Sequence, residues 1–512
     1  MKILALSTNN PYHQDLLEEL RLKYNIIADI ATSHKAELEK ENRPYYKKYA
    51  TRLIDGKAFY QINQINKIIP VDAPVLDKQI LEYFSHIERD FYIISDRYSF
   101  FPKSFRTRKR LFRYGLRYWL DFFAKNKIDA IFTPCAPHNF PDYTAFHVAK
   151  YLNIPVLMTT DVMINDHVLI LSDYREVIKV PENYMENDSD EKIIATIPPK
   201  LYNNAFRESI QINISKHYND RSLGLKNLND FNDENFVEKK KIAKRAKLKN
   251  RLKKYFSTSP YRPRFKANFA MNRQYSDFVR RFFRIVRSFT LKKLKSDYEA
   301  LAITPDLNIN YIYFAMHLTP ERTTQPEAEV FEDHLLAIEI LAKSVPKDWL
   351  IYVKENPGQA SRKINFINGK GYRDISDYKD FTRHPNVRLI RQNIKSSELI
   401  QKAKIVSSLR GSVGWESLAQ GKGCITFGNA FYSACRSAYR VSSVAECKEV
   451  IKEILTKTPA EVKTDKLKFL AYMQSRIVIG SMGAHEVLAM VGEPYKNLLG
   501  NLASVLAAMF EE

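Results

Sequence analysis

The sequence predicts an α/β protein of two doubly wound domains that face one another across a cleft, with a basic helical insert between them. Three observations predict it. Strand-like and helix-like stretches alternate over residues 1–175 and again over 306–470, the pattern of parallel sheets covered by helices. The loops that follow the strands carry polar residues, and the one after Ser407 is a turn of Ser and Gly, as expected where open α/β sheets bind ligands. Nearly all of the net charge sits in one stretch between the two halves.

In the first half, Met1–Ser7 reads as a strand and Pro11–Tyr24 has helical spacing. Lys103–Asn126 is a long amphipathic helix, Asp129–Thr133 a strand, Asp142–Leu152 a helix and Ile154–Met158 a strand. Residues 176–305 form a polar linker, rich in Asn and Asp, followed by the insert. Alternation resumes with a strand at Asn310–Ala315, a helix over Glu327–Lys343 and a strand at Trp349–Val353. Next come Ser376–Phe381 (helix), Val387–Ile390 (strand) and Ser396–Lys402 (helix). Ile405–Ser407 is a buried strand, a helix opens at Ser412 and stops at Gly421, and Cys424–Phe427 closes the series. Residues 471–512 read as C-terminal helices.

The chain has 512 residues, too many for one ordinary domain, and 45% are hydrophobic, enough for sizeable cores. No apolar run approaches the roughly 20 residues of a membrane span. The N-terminus lacks the features of a signal peptide. The four cysteines, Cys135, Cys424, Cys435 and Cys447, fit no zinc spacing and read as buried thiols of a reducing cytoplasm; no metal site is expected. Formal net charge is +22, yet Lys239–Lys295 holds 21 Lys and Arg against the single Asp277, a net +20. The remainder is close to neutral, so the protein body is not basic.

The segment Val406–Gly428 is the most informative in the chain. A turn of Ser407, Ser408, Arg410, Gly411 and Ser412 opening a helix leaves backbone N–H groups converging on one spot, where the helix dipole adds partial positive charge. That combination holds a phosphate. Gly414, Glu416 and Ser417 follow on the first turns, where Glu416 and Ser417 can meet a ribose or a base. A tight strand-to-helix connection would need the same small residues. The loop after Ala315 offers Arg322, Thr323 and Thr324 to a phosphate, or else Thr serves as a helix cap with Pro326 at the first helical position. Lys354, Glu355 and Asn356 leave a buried strand together, which is costly unless something uses them; Asn-Pro-Gly is also good turn chemistry.

For activating an acceptor, the first half offers Asn9, Asn10 and His13 after its first strand, and His138 and Asp142 in the loop after a later one. His138 or Asp142 is the candidate general base, an acceptor contact or a structural residue; His317, beside the expected phosphate turn, is a further catalytic candidate. His147 lies within a helix and reads as packed or solvated.

These blocks carry a resemblance. Tyr313–Phe331 with its Pro-Glu-Arg loop, Leu350–Pro357, and Ser407–Tyr432 with its Gly-Ser-x-Gly-Trp-Glu-Ser-Leu core occur in the order found in the capsule polysaccharide biosynthesis family, glycosyltransferases related to bacterial Kdo transferases. The chain resembles them over about 120 residues of its second half. The resemblance implies a GT-B-like fold of two Rossmann-like domains, the acceptor in the first and the donor in the second, with C-terminal helices crossing back to the first. It implies transfer of a sugar from a nucleotide donor, a CMP-activated Kdo or other nonulosonic acid, to a glycan or lipid-linked glycan acceptor, with no cofactor and no metal. Asn356 stands where relatives commonly carry a His before the Pro. Asn cannot deliver a proton, so phosphate-neutralising contacts would stabilise the leaving CMP, itself a stable anion. A CDP-polyol phosphotransferase of the teichoic-acid type is a second reading, although its usual Asp-Tyr-Ser-Ser turn is absent. A non-catalytic, membrane-associated scaffold of a capsule assembly complex is a third.

Within the insert, Phe278, Phe282, Ile285, Val286 and Phe289 recur at helical spacing, while Arg280, Arg281, Arg284 and Arg287 fall largely elsewhere. This is a basic amphipathic helix, expected to dock on the inner face of the cytoplasmic membrane through its arginines with Phe282 and Phe289. An anionic polymer, or packing on the body with a solvated basic face, are the alternatives. Nucleic acid is not expected, because no RNA-binding aromatic signature or zinc module occurs.

Overall fold

A computed structural model describes residues 1–8, 11–32, 52–97, 99, 103–164, 166–206, 277–360, 373–481 and 493–511. Asn9, Asn10 and residues 239–276 lie outside the described residues, as do the side chains of Arg280, Arg281, Arg284 and Arg287.

The first domain is built on a seven-stranded sheet. Its strands are β1 (Lys2–Leu6), β2 (Ile27–Thr32), β3 (Leu53–Asp55), β4 (Ala130–Thr133), β5 (Val156–Asp161) and β6 (His167–Leu171), with β13 (Ile477–Ile479) from the far end of the chain. The order is β13-β6-β5-β4-β1-β2-β3. β1 to β5 run parallel; β6 is antiparallel to β5, and β13 to β6. Ile3 to Leu6 and Ala130 to Thr133 are buried along their whole length, because helices cover both faces of a parallel sheet.

The second domain is a six-stranded, all-parallel sheet. It contains β7 (Tyr311–Ala315), β8 (Leu350–Lys354), β9 (Val387–Leu389), β10 (Ile405–Ser408), β11 (Cys424–Thr426) and β12 (Ala438–Arg440). The order β12-β11-β10-β7-β8-β9 is the 3-2-1-4-5-6 arrangement of a Rossmann sheet, with the first strand, β7, beside the fourth, β10. The first five strands of the first domain repeat that order. Two Rossmann-like domains are therefore joined in one chain, each with a switch point where consecutive connections leave in opposite directions: between β1 and β4, and between β7 and β10.

The C-terminus belongs physically to the first domain. Leu498, Leu502 and Leu506 of the helix Glu493–Glu511 pack with Leu16 and Leu20 of the helix Pro11–Tyr24, and Tyr495 donates to Asp15 at 2.5 Å. The domains also share a hydrophobic cluster in which Leu169 and Leu171 meet Trp415, Phe431 and Leu470.

One expected element differs. In place of a helix over Glu327–Lys343, a short 3-10 turn at Glu329–Glu332 precedes the helix His334–Ser344. Asp333 is the reason: its carboxylate accepts from the Leu335 N–H, a cap available only if the helix starts after it. The Thr323 and Thr324 hydroxyls bond within their own loop instead.

Candidate functional site

The site lies at the carboxyl ends of the strands flanking the two switch points. On the second domain, β10 ends at Ser408 and the helix Ser412–Ala419 begins four residues later. Ser408 Oγ accepts from the Gly411 N–H at 2.8 Å, and the Tyr432 hydroxyl donates to the Gly411 carbonyl at 2.5 Å. The turn is thus clamped from both sides. Its cap residue, Gly411, has no side chain, and no side-chain acceptor caps the first amides of the helix. Small residues are required here: a Cβ on Gly411 would sit 3.1 Å from His317 Nε2, and one on Gly414 would sit 2.2 Å from the Tyr432 hydroxyl. On the next turn Ser412 donates to Glu416 at 3.1 Å, and burial raises the Glu416 carboxyl above its ordinary range. Ser417, one residue on, is committed to closing the helix through the Lys422 carbonyl at 3.2 Å.

His317, at the end of β7, supports this turn. Its Nε2 accepts from the Arg410 N–H at 3.3 Å, so Nδ1 carries the proton and donates to Thr323 Oγ1 at 3.2 Å. Thr323 in turn donates to Glu321 at 2.5 Å. Burial pushes the His317 pKa down to about 4, which keeps the ring neutral. With both nitrogens engaged, His317 holds two loops together and has no lone pair left for proton transfer.

Arg410 Nε donates to the Asn429 carbonyl at 3.1 Å, and its guanidinium pairs with Glu327. Arg322 lies 3.6 Å from the same carboxylate. Burial, and then the neighbouring Arg322, lower the Arg410 pKa to about 9. The two guanidiniums share Glu327, and the ionised Glu321 also faces them, so the cluster beside the 408–412 turn is close to charge-balanced. Thr324 is fully buried and tied to the backbone of its own loop.

The β8 residues go elsewhere. Lys354 Nζ donates to the Ile394 carbonyl at 2.6 Å and to Ser396 Oγ at 3.1 Å. Glu355 pairs with Arg373 at 3.0 Å and accepts from Tyr378 at 3.0 Å and from the Asn356 N–H at 2.7 Å. Asn356 Oδ1 accepts from the Gly358 N–H, closing the Asn-Pro-Gly turn. All three have structural partners, and none contacts the 408–412 turn among the interactions described.

On the first domain, Asp142 sits in the first turn of the helix Phe140–Tyr151 and is 2% exposed. Ser7, at the end of β1, donates to Asp142 Oδ2, and Asn139 Nδ2 reaches the same oxygen at 3.4 Å. Ser7 adopts a left-handed φ of 50°, uncommon for a residue with a side chain. Asp142 Oδ1 is buried with no partner. Burial raises the Asp142 pKa to about 6 against the two hydrogen bonds. His138 donates from Nδ1 to the Ala136 carbonyl at 2.9 Å, leaving Nε2 as the lone-pair nitrogen; burial and then Arg97 lower its pKa to about 3. His13 is buried within the helix Pro11–Tyr24, against the edge of Tyr12, and His147 is packed among Tyr143, Phe146 and Tyr174.

The two half-sites meet. Arg97, at the end of the helix Ser85–Asp96, donates to the His138 carbonyl at 2.7 Å and to the Gln325 carbonyl of the second domain at 2.8 Å. Glu321 faces His138 electrostatically. Burial alone would raise the Glu321 carboxyl, but Arg322, the Thr323 bonds and His138 hold it at about 2. Behind Arg410 a pocket opens between the domains, lined by Thr160, Leu171, Tyr174, Glu327, Arg410 and Phe431 among others. Among the described residues no cluster of His, Cys, Asp or Glu is placed to hold a metal ion.

No protein-family model and no curated protein matches the chain. Among solved structures it is similar to the β-Kdo 2,7-transferase KpsC of Thermosulfurimonas dismutans, at 13% identity and a TM-score of 0.23, over 42% of this chain and 62% of that one. The match thus spans less than two thirds of that transferase. It is similar to the β-Kdo 2,4-transferase KpsC of the same organism, at 12% identity and a TM-score of 0.26, over 67% of this chain and 87% of that one. A UDP-GlcNAc 2-epimerase from Neisseria meningitidis, bound to UDP-GlcNAc, aligns over the whole of both chains at 10% identity and a TM-score of 0.21. Likenesses this slight leave the fold assignment resting on the two sheet topologies.

Sequence reasoning did not single out Arg97, Glu321, Glu327 or Tyr432. Glu321, Glu327 and Tyr432 stand inside the blocks that carry the family resemblance and were open to notice. Arg97 had no local signal: its role depends on two carbonyls 41 and 228 residues away.

Proposed function

We propose that the protein is a glycosyltransferase that takes a sugar from a nucleotide donor held by the second domain and transfers it to an acceptor held by the first. The observation that carries the reading is Asp142 Oδ1, a buried, unpartnered carboxylate oxygen at one switch point, in a molecule whose other switch point presents an uncapped helix N-terminus. The donor phosphate lies over the first turn of the helix Ser412–Ala419, where free amides and the helix dipole favour an anion. Glu416 takes the ribose hydroxyls. Arg410 and Arg322 balance the charge that develops on the leaving phosphate, which needs no proton from Asn356.

Asp142 is the general base. Its pKa of about 6 suits proton abstraction near neutrality better than that of His138 at about 3. Ser7 and Asn139 orient its Oδ2 and leave Oδ1 to accept the acceptor hydroxyl proton as that oxygen attacks the anomeric carbon. The glycosidic bond to the nucleotide breaks, and the nucleotide leaves as an anion. The donor we favour is a CMP-activated Kdo or other nonulosonic acid, and the acceptor a glycan of a surface polysaccharide.

A thermal-shift panel of CMP, CDP and UDP tests the donor half, since a ligand of the native state raises the melting temperature by mass action. The expected result is a shift with CMP that Ser412→Ala and Glu416→Gln each abolish. Nucleotide release from CMP-Kdo tests the other half: Asp142→Asn keeps the thermal shift and loses turnover. Absence of any nucleotide binding would instead favour a non-catalytic scaffold.

A further inference from the structure

We propose that the helix Asp277–Leu301 docks the protein on an anionic lipid surface through a stripe of Phe282, Ile285 and Phe289. The inference does not depend on the transfer reaction proposed above.

The helix has two faces that change character along its length. In its C-terminal half Leu291, Leu294 and Tyr298 are buried at spacings of three and four, and Leu294 and Tyr298 join the core of the second domain. Tyr298 locks that face: its hydroxyl donates to the Ile390 carbonyl at 2.5 Å and accepts from the Glu355 N–H at 3.0 Å. Continued toward the N-terminus at the same spacing, this face passes through positions 287, 284 and 280, all arginine. Phe282, Ile285 and Phe289 instead share the opposite side, since each residue turns the helix by about 100° and Phe289 precedes Leu291 by two. They are 53%, 43% and 66% exposed. The domain on which the helix rests cannot cover them. Single exposed apolar residues are ordinary, but two Phe and an Ile exposed in one stripe point to a docking surface.

Charge selects the partner. Residues 277–295 contain seven Lys and Arg and only Asp277 as an acid. Arg281 and Lys292 fall at positions along the edge of the stripe, and Lys292 Nζ lies 5.9 Å from the centre of the Phe289 ring. An apolar stripe edged with cations matches the boundary of an anionic bilayer, where rings enter the acyl region and cations meet phosphates. A second copy would bring the same positive face against itself. The preceding residues 239–276 carry 14 Lys and Arg and no acid, which extends the run of positive charge along the chain. No described helix is long and apolar enough to cross a membrane.

Flotation of the full chain with phosphatidylcholine vesicles, with and without phosphatidylglycerol, is the test. The expected result is flotation with the anionic vesicles only, abolished by high salt. The Phe282→Ser/Phe289→Ser variant should weaken binding at least about tenfold with an unchanged melting temperature, because both side chains are exposed. Equal flotation with neutral vesicles, no flotation, or undiminished binding by the double variant would overturn the proposal. So would concentration-dependent self-association, measured by sedimentation, that the double variant removes; a second copy would then be the occupant.

Discussion

Arg97 and Gln325 join the two domains: the buried guanidinium of the first donates a 2.8 Å hydrogen bond to the main-chain carbonyl of the second, while its other terminal nitrogen holds the His138 carbonyl at 2.7 Å. Arg97 is 1% exposed, so these carbonyls have no water to turn to if it is removed. Each orphaned buried acceptor costs about 1–3 kcal/mol. Arg97→Met is therefore expected to lower the unfolding free energy by several times RT, read as a drop in urea midpoint. Arg97→Lys, whose single ammonium lacks the planar fork, should recover only part of it. A midpoint unchanged in Arg97→Met would mean that the tie contributes nothing.

Asp142 is expected to make stability and activity respond to pH with opposite signs. Its pKa is raised by burial from an ordinary 3.8 to about 6, so between those values the folded chain binds more protons than the unfolded one. Its contribution to stability is then greatest below about pH 4 and falls as pH rises through about 6, by on the order of 3 kcal/mol. A general base works only when ionised, so kcat/KM should rise through about pH 6 to a plateau. In Asp142→Asn the stability slope flattens and turnover falls by about two to four orders of magnitude. Parallel urea titrations and rate profiles over this range check both halves.

The fold was legible because it depends on patterns that survive in one dimension. Buried parallel strands such as Ile3–Leu6 and Tyr311–Phe314 read as apolar runs, and the Gly411–Ser412 turn reads as a helix start. β6 and β13 were not legible. Their pairing joins His167 to Ile479 across more than 300 residues; β13 has only three residues, whereas the apolar run of β6 is as long as β1 but gives no sign of its antiparallel pairing. The site was half legible for the same reason. Sequence places candidate residues at strand ends, and Ser408, Glu416, His317 and Asp142 do lie at or just beyond the carboxyl ends of their strands. It does not say where a long side chain turns, and Lys354 and Glu355, adjacent at the end of β8, turn into the protein rather than toward the 408–412 turn.

Glu355 gives that distinction a measurable form. It shares a buried ion pair with Arg373 at side-chain exposures of 1% and 5%, and breaking such a pair by removing one partner costs about 3–5 kcal/mol. Burial nonetheless raises the Glu355 carboxyl above its ordinary range, so desolvation outweighs the pairing. Glu355→Gln should destabilise the protein toward the lower end of that range, because the amide still accepts from Tyr378, while nucleotide affinity changes little. The reverse outcome, lost affinity with stability retained, would return Glu355 to the donor site.

Gly414 and Gly500 are expected to respond to the same substitution with opposite signs. Both lie in helices, where replacing Gly by Ala gains up to about 1 kcal/mol of helix propensity. At Gly500 a Cβ meets nothing nearer than Glu19 Oε1 at 3.9 Å, so Gly500→Ala should raise the melting temperature. At Gly414 it would lie 2.2 Å from the Tyr432 hydroxyl and 2.7 Å from Cζ, and the ring is fully buried with nowhere to retreat. Overpacking of this kind costs about 1–3 kcal/mol, and displacing Tyr432 also breaks its bond to the Gly411 carbonyl, worth about 1 kcal/mol more. Strain exceeds propensity, so Gly414→Ala should lower the melting temperature. Because Tyr432 clamps the turn proposed to hold the phosphate, it should also weaken nucleotide binding, which Gly500→Ala leaves intact. Calorimetry of both variants with and without CMP separates the two effects, and a stabilised Gly414→Ala would show that the turn tolerates a looser clamp.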